Sequence, residues 1–200
     1  MKTAKTLLSM LNHELKPSRL SESALIVVDA QREYVDGSVP LHDISGALSE
    51  LKTLLERARK LKMPIFHIVH HAGAGNPIFD PDGEFVQIAD PAKPAEGEPV
   101  IVKHLPSGFV GTNLQELLEA SKRKNVVVAG FMTHMCIDAT TRGALDLGFS
   151  PTVVASACTT RDLPTPSGGI VKARDLHESS LAALADLVAC VVPDSKSLPD

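Results

Sequence analysis

Cys136 is the residue of this sequence best placed to act as a nucleophile. It ends the stretch Gly130-Phe131-Met132-Thr133-His134-Met135-Cys136, which directly follows the apolar run Val126-Val127-Val128-Ala129. The apolar pattern of residues 137–147 predicts a helix that begins near the cysteine. The free N–H groups and the positive dipole end of this helix would favour the thiolate over the thiol. An isolated cysteine is more often a small buried hydrophobic residue, so its neighbours decide the interpretation.

Two other apolar runs also end in a charged residue. Residues 24–28 precede Asp29, and residues 100–102 precede Lys103. Both runs predict buried strands of a parallel sheet, and ligands bind beyond the carboxyl ends of such strands. We therefore expect Asp29, Lys103 and Cys136 to converge on one crevice, where a base, a cation and a nucleophile would support acyl transfer. Taken alone, Asp29 could instead cap a helix or brace a loop, and Lys103 could be a solvated strand end.

The rest of the sequence alternates predicted strands and helices. Apolar runs predict strands at residues 24–29, 65–69, 100–102, 125–129, 152–155 and 188–192. Helices are predicted between them at residues 44–62, 112–121, 137–147 and 172–187. Thr112 is the expected N-cap of the second helix, with Gln115 as its capping-box partner. We therefore expect a single α/β domain over residues 1–200, with three α/β/α layers and a six-stranded, mostly parallel, doubly wound sheet.

Two segments lie outside this alternation. Residues 1–15 carry apolar side chains in a pattern too interrupted for a signal peptide or a membrane span. We expect a short amphipathic helix there, within an N-terminal extension of residues 1–20 that packs on the domain or on a partner subunit. Residues 73–99 are rich in proline and longer than a usual connection, yet they contain enough apolar residues to pack. Long loops in compact domains are commonly functional, so we expect a lid or a subunit contact there.

Three segments of the chain, in the right order, resemble the isochorismatase-like cysteine hydrolases. This family includes nicotinamidases and N-carbamoylsarcosine amidase. The matching segments are Val27-Val28-Asp29-Ala30-Gln31 with Tyr34, Lys103-His104-Leu105-Pro106-Ser107-Gly108-Phe109 leading into Gly111-Thr112-Asn113-Leu114, and Ala129-Gly130-Phe131-Met132-Thr133-His134-Met135-Cys136. The resemblance covers the chain from about Ala24 to Val192.

The resemblance implies a catalytic triad. Asp29 would be the general base, Lys103 the cation beside it and Cys136 the nucleophile. The family also implies a cis peptide between Phe131 and Met132, with the N–H groups of Met132 and Cys136 directed at a developing oxyanion. Lys103 would keep Asp29 in place and lower its pKa.

The implied reaction is hydrolysis of a small amide, carbamoyl or related C–N bond through an acyl-enzyme on Cys136. The expected substrate-binding residues are Tyr34, Phe109, Phe131 and His134, of which Tyr34 and Phe109 match family positions. No redox or organic cofactor is implied. One alternative is an isochorismatase-type vinyl-ether hydrolase that uses Asp29 as a general acid, although members of that subgroup often lack the cysteine. The other alternative is a non-catalytic interaction module.

Three histidines invite a metal hypothesis. His67, His70 and His71 lie where nicotinamidases of the family carry an Asp-x-His metal pair. No aspartate stands two residues before a histidine in this segment, and on a strand His67 and His71 would face away from His70. We therefore expect no metal site, and the role of these histidines stays open. His177 is expected to be structural.

Composition bounds the class of protein and its partners. A hydrophobic content of 44% with 22% charged residues is typical of a globular chain, and a formal net charge of −4 provides no basic surface for nucleic acid. The odd number of cysteines, Cys136, Cys158 and Cys190, favours reduced thiols and a cytoplasmic location. We expect a small-molecule substrate, neither nucleic acid nor membrane as a partner, and a homo-oligomer, either a dimer or a tetramer.

Overall fold

The structure is a computed structural model that describes residues 4–200. Its strands are β1 Ser23–Val28, β2 Ile65–His70, β3 Val100–Lys103, β4 Asn125–Phe131, β5 Ser150–Thr159, β6 Leu163–Pro164, β7 Ile170–Val171 and β8 Cys190–Val192. Its α-helices are α1 Leu7–Met10, α2 Ile44–Lys60, α3 Leu114–Ala120, α4 Asp138–Asp146 and α5 Ala173–Leu187. Short 3-10 helices, one π-helical turn and the connecting loops make up the rest of residues 4–200.

Six of the strands form one parallel sheet in the order β3-β2-β1-β4-β5-β8. The order proceeds outward in both directions from the neighbouring strands β1 and β4, so the predicted doubly wound α/β sheet is confirmed. Strands β6 and β7 form a separate antiparallel pair that the sequence pattern did not predict. The crevice between the carboxyl ends of β1 and β4 is therefore the topological switch point, where ligands bind in such folds.

Helices cover both faces of the sheet. Strand β1 is buried at every position, and its side chains alternate between two hydrophobic clusters. Leu25 and Val27 pack in the cluster that contains α2, whereas Ile26 packs in the cluster that contains α3, α4 and α5. The predicted apolar stripe of α2 is buried, and each fully buried leucine in it contributes about 1.5–3 kcal/mol. These two cores hold the carboxyl edge of the sheet in place.

The start of α3 differs from the prediction. Asn113 precedes the helix, and no side chain caps it in the expected way. The Thr112 hydroxyl donates to Gly108 O at 2.6 Å and accepts weakly from Leu114 N at 3.3 Å. Gln115 donates to Glu119 Oε1 at 2.9 Å instead of completing a capping box. Thr112 is not the N-cap because its hydroxyl closes the preceding turn.

Strands β4 and β5 are both longer than predicted. Their pairing shifts register between Val128 and Gly130 and then resumes, with Gly130 opposite Cys158 and Phe131 opposite Thr159. The sequence pattern ended each strand too early because small and polar residues replace the apolar run beyond this irregularity. The extension carries both strand ends to the same height at the carboxyl edge.

The predicted amino-terminal helix is limited to the single turn Leu7–Met10. Thr6 caps it by accepting from Ser9 N at 3.1 Å, and Leu7 N donates to Asp186 Oδ1 at 2.7 Å on α5. A short isolated helix is marginal in water, since nucleation is costly. Residues 1–3 of the predicted extension lie outside the described residues. Within residues 4–200, no helix is both long and apolar enough to cross a membrane.

The proline-rich segment of residues 73–99 packs on the domain. Phe79, Ala89 and Ala92 are buried in the same cluster as α2. The side chain of Gln31 fixes the middle of the segment, because its Nε2 donates to Val86 O at 2.8 Å and to His70 O at 3.0 Å. Its Oε1 accepts from His70 N at 2.8 Å, so one amide joins the end of β2 to this segment.

Gly130 allows β1 and β4 to approach closely. Its φ is +122°, and a Cβ at this position would lie 2.0 Å from Val28 O. We predict that Gly130→Ala lowers the free energy of unfolding by at least about 3 kcal/mol, because the clashing atom belongs to a central strand that cannot move away.

Gly75→Ala is the matched control for this prediction. Its φ is +78°, but an added Cβ would meet nothing within 4 Å. Strain alone should therefore cost about 1–2 kcal/mol. Urea unfolding of both variants measures the difference, and equal losses would show that backbone conformation rather than the clash makes Gly130 necessary.

Candidate active site

The structure brings Asp29, Lys103 and Cys136 together at the carboxyl edge of the sheet. Asp29 follows β1, Lys103 ends β3, and Cys136 lies in the π-helical turn Thr133–Ile137 after β4. Lys103 Nζ lies 2.8 Å from Asp29 Oδ2 and donates to Cys136 Sγ at 3.3 Å. All three residues are buried. The convergence that the strand ends predict is therefore present as a compact group.

The backbone on both sides of the switch point departs from regular geometry. Asp29 has a φ of +49°, and its N–H donates to Ile68 O at 2.9 Å while its carbonyl accepts from Gln31 N at 2.8 Å. These bonds turn the chain out of β1 and fix the Asp29 backbone. The peptide between Phe131 and Met132 is cis, at the position that the family resemblance implies.

Burial dominates the electrostatics of Asp29. Loss of solvent raises the pKa of its carboxyl above the ordinary 3.8, and the positive charge of Lys103 offsets only part of that rise. Within residues 4–200, neither Asp29 carboxylate oxygen has a well-angled hydrogen bond, so the Lys103 ammonium is its main compensation. Lys103 lowers the pKa of Asp29, as predicted, but desolvation is the larger cause and the net shift is upward.

Cys136 is a thiol rather than the predicted thiolate. Burial first, and then the neighbouring Asp29 carboxylate, raise the pKa of Cys136 to about 12, although Lys103 opposes the rise. A helix terminus stabilises a thiolate only modestly, and here it cannot outweigh the loss of solvent. At neutral pH, Cys136 therefore needs a base to remove its proton during attack on an electrophile.

His70 is a member of this group that the sequence pattern did not identify. Its Nδ1 lies 3.4 Å from Lys103 Nζ at the end of β2. Burial, and then the charge of Lys103, lower the pKa of His70 to about 4, so the ring is neutral near pH 7. The alternation of β2 could have revealed it, because His70 faces opposite to His67. An ammonium has three donors, and Lys103 Nζ lies within 3.4 Å of Asp29 Oδ2, Cys136 Sγ and His70 Nδ1.

His67 lies on the opposite face of β2 and serves a different group. Its Nε2 is 2.9 Å from Glu98 Oε2, and Arg59 also binds both oxygens of that carboxylate at 2.8 and 2.9 Å. His71 is half-buried, and its N–H donates to Lys103 O at 3.0 Å. Among the residues that the structure describes, no group of three or more His, Cys, Asp or Glu side chains could hold a metal ion.

Three of the four expected pocket residues lie near the group around Lys103. Tyr34 packs edge-on against Phe131 at 6.0 Å between ring centroids, and both rings are buried. His134 lies in the same turn as Cys136 and shares a 2.6 Å hydrogen bond with Thr160 Oγ1. Burial, and then the charge of Arg161, lower the pKa of His134.

Phe109 is not part of this group. Its ring stacks on Phe149 at 6.2 Å and lies over Gly143, on the surface of α4. The motif predicts that Phe109 lies near the pocket, but the chain after Lys103 turns toward α4.

His177 Nδ1 shares a 2.8 Å hydrogen bond with Thr133 Oγ1, so it braces the π-helical turn that contains Cys136.

A cavity of about 690 Å³ adjoins the site. Met132 and Phe79 contribute to its wall, and Phe79 also packs edge-on against Tyr34 at 5.2 Å between centroids. Arg161, two residues beyond β5, lines the same cavity. Its position at a strand end was the only sequence signal that could have identified it.

The protonation state of Cys136 can be measured directly. Subtracting the thiolate absorbance of Cys136→Ala from that of the wild type isolates the signal of Cys136. We predict that this difference is zero at mildly alkaline pH, because the pKa of Cys136 is raised to about 12. Asp29→Asn should lower the pKa of Cys136, because it removes the carboxylate that disfavours the thiolate and leaves the positive charge of Lys103 in place. A thiolate already formed at neutral pH in the wild type would contradict this account.

Comparisons with known proteins agree with the geometry. The family description "Isochorismatase domain" matches residues 23–193. A secreted isochorismatase effector of Verticillium dahliae is 36% identical over 184 residues, which cover 92% of this chain and 94% of the effector. The crystal structure of an isochorismatase from Pseudomonas putida has a TM-score of 0.92 at 36% identity, covering 98% of this chain and 100% of that chain.

A more distant relative has a name that states an amide substrate. Nicotinamidase 3 of Arabidopsis thaliana is 27% identical over 177 residues, which cover 82% of this chain and 80% of that protein. The family match extends over most of the sequence and includes every residue of the group around Lys103. The chain therefore belongs to the isochorismatase family of hydrolases.

Proposed function

We propose that this protein is a cysteine hydrolase that cleaves a small amide, carbamoyl or related C–N bond through an acyl-enzyme on Cys136. The observation that carries the proposal is the position of Lys103 Nζ, which lies 2.8 Å from the Asp29 carboxylate and 3.3 Å from the Cys136 sulfur. This buried arrangement supports the proposed roles of Asp29 as the base, Lys103 as the cation and Cys136 as the nucleophile. The amidase named among its relatives supports the choice of bond.

In the first step, the Cys136 sulfur attacks the substrate carbonyl carbon while Asp29 accepts the thiol proton. A C–S bond forms, and the carbonyl π electrons move to the oxygen. The backbone N–H groups of Met132 and Cys136 are the proposed donors to this oxyanion, and each such donor lowers a barrier by about 3–4 kcal/mol. The raised pKa of Asp29 suits this role, because a more basic carboxylate accepts a thiol proton more readily.

In the second step, the oxyanion collapses and the C–N bond breaks. Asp29 gives its proton to the departing amine, which leaves as a neutral molecule. A water molecule then attacks the thioester carbon and Asp29 takes its proton. The C–S bond breaks, the product acid leaves, and the proton returns to Cys136. Lys103 stabilises Asp29 in the steps where Asp29 is ionised, and Tyr34, Phe131 and His134 are the proposed contacts to substrate.

One observation favours a second reaction. Burial raises the pKa of Asp29, which also makes its protonated form more accessible, as a general acid requires. A vinyl-ether hydrolase of the isochorismatase type would use Asp29 in this way and would not need the thiol. Cys136 counts against that reaction, because its sulfur lies within hydrogen-bond distance of Lys103 at 3.3 Å.

We also propose a cytoplasmic location, a homo-oligomeric assembly and a lid or subunit contact for residues 73–99. All three cysteines of the described residues are free, which suits a reducing compartment. The V. dahliae relative is named as a secreted protein, so the proposed location rests on the free cysteines and not on that relative.

The thiol separates the two reactions. We predict that Cys136→Ala loses amide hydrolysis by at least about a thousand-fold, because neither binding nor the oxyanion donors can replace a covalent nucleophile. Cys190→Ala is the control, since Cys190 lies on the edge strand β8. Turnover of small amides, ureas and isochorismate measures the effect, with intact-protein mass spectrometry to detect the adduct.

An adduct on the wild type that is missing from Cys136→Ala would support the acyl-enzyme. Near-normal activity of Cys136→Ala on the substrate that the screen identifies would contradict covalent catalysis. In that case, Asp29 acting as a general acid would be the better account.

The pH dependence gives an independent test. Only ionised Asp29 can accept the thiol proton, so kcat/KM should fall as pH decreases through its pKa. Because that pKa is raised above 3.8, the midpoint should lie above 3.8, and Lys103→Met should move it to still higher pH. Measured pH–rate profiles check both statements. A rate that increases as the pH falls through this midpoint would indicate a general acid instead.

A further inference from the structure

The cavity beside the triad has mostly apolar walls. The apolar lining residues are Val39, Pro40, Leu41, Ile78, Phe79 and Met132, and the polar lining residues are Ser38, His42, Arg161 and Asp162. Its volume of about 690 Å³ is in the range of small-molecule sites. Phe79 packs on both Tyr34 and His70, each at 5.2 Å between ring centroids, so the cavity begins at the edge of the triad. Any substrate larger than its reacting carbonyl would extend into this space.

Arg161 is held at the wall of this cavity by the residues on either side of it. Phe131 pairs with Thr159, so Met132 and Thr160 are neighbours across the ends of β4 and β5. Thr160 is fixed in turn, because its carbonyl accepts from His42 N at 2.9 Å and its hydroxyl bonds to His134. Thr160 is the strand neighbour of Met132, which is a proposed oxyanion donor. Arg161 is the residue that follows Thr160.

Arg161 has no ion-pair partner among residues 4–200, although the neighbouring Asp162 lines the same cavity. Its Nε is buried and has no acceptor within residues 4–200, and its Nη1 reaches only Asp162 O, at 3.5 Å. No carboxylate of the described residues lies within 4.0 Å of the guanidinium. The Asp162 side chain is engaged elsewhere, with Lys172 Nζ at 2.8 Å and Ala173 N at 2.8 Å.

A partly buried cation without a counter-ion is costly unless a ligand supplies one. A guanidinium binds a carboxylate through two parallel hydrogen bonds, which gives geometric selection as well as affinity. The apolar walls would meanwhile contact the part of the ligand between its two polar ends. The combination fits a molecule with an anionic group at one end and a reacting carbonyl at the other.

We propose that Arg161 is a specificity residue that selects substrates carrying a carboxylate, separated from the scissile carbonyl by a short apolar spacer. This inference rests on the proposed function, since it defines the class of amide that the triad would cleave. Arg161 contacts the distant end of the substrate in this account and takes no part in the chemical steps.

Matched pairs of substrates test the proposal. Succinamate is compared with butyramide, and terephthalamate with 4-methylbenzamide, so that a methyl group replaces the carboxylate. We expect kcat/KM in the wild type to favour the anionic member of a pair by about ten-fold or more. Arg161→Met should reduce this ratio to about one, chiefly through KM for the anion, and Arg161→Lys should retain part of it.

Arg174→Met is the matched control, because Arg174 is an exposed arginine that pairs with Glu178 at 3.2 Å and does not line the cavity. It should leave the ratio unchanged. A wild type without preference for the anion, or an Arg161→Met variant that keeps the full ratio, would overturn the proposal. Loss of preference in both Arg161→Met and Arg174→Met would also overturn it, since the effect would then be one of general charge.

A binding measurement separates failure of this proposal from failure of the proposed function. Terephthalate binding to Cys136→Ala is measured by calorimetry, with and without Arg161→Met, and needs no turnover. If no amide is hydrolysed but Arg161→Met weakens this binding about ten-fold or more, the anion site stands and the reaction is wrong. Equal binding by both proteins would overturn the role of Arg161 whatever the enzyme hydrolyses.

Discussion

The buried ion pair between Asp29 and Lys103 is the interaction on which the rest of the site depends. Removing one partner of such a pair typically costs about 3–5 kcal/mol, because the other charge is left without compensation. Lys103 is almost wholly buried, and its ammonium lies near Asp29, His70 and Cys136. These acceptors follow or end three different strands, so the register of β1, β2 and β4 must be correct for the ammonium to be satisfied.

The sheet topology explains why such a costly group is stable here. The order reverses between β1 and β4, and the loops after these strands leave in opposite directions. The space between them can hold polar groups because both faces of the sheet are closed by separate hydrophobic cores. Gly130 permits the close approach of the two strands, and the same approach brings the Cys136 turn to the Asp29 side chain.

Residue type and strand position were enough to predict that Asp29, Lys103 and Cys136 converge, but not the electrostatics of the group they form. Apolar runs ending at Asp29 and Lys103 located those side chains, because the carboxyl ends of parallel strands share one edge. The pKa directions could not be inferred, since they depend on burial that the sequence does not reveal. His70 and Arg161 were missed for a related reason: each becomes part of the site only through contacts with distant segments. Phe109 matches a motif of the family, yet the chain that follows Lys103 turns toward α4 and carries Phe109 with it.

The single amide of Gln31 limits where the length of this protein can change. It bonds to the end of β2 at His70 and to the middle of the following connection at Val86, and it follows Asp29 by only two residues. Extra residues placed near Val86 would shift this amide and, through Ala30, the backbone of Asp29. Residues 73–78 are exposed and precede the buried Phe79, so an inserted peptide there would leave the contacts of Gln31 intact. In this fold, we therefore expect insertions in the 73–99 segment to be tolerated at residues 73–78 and to be disruptive near Val86.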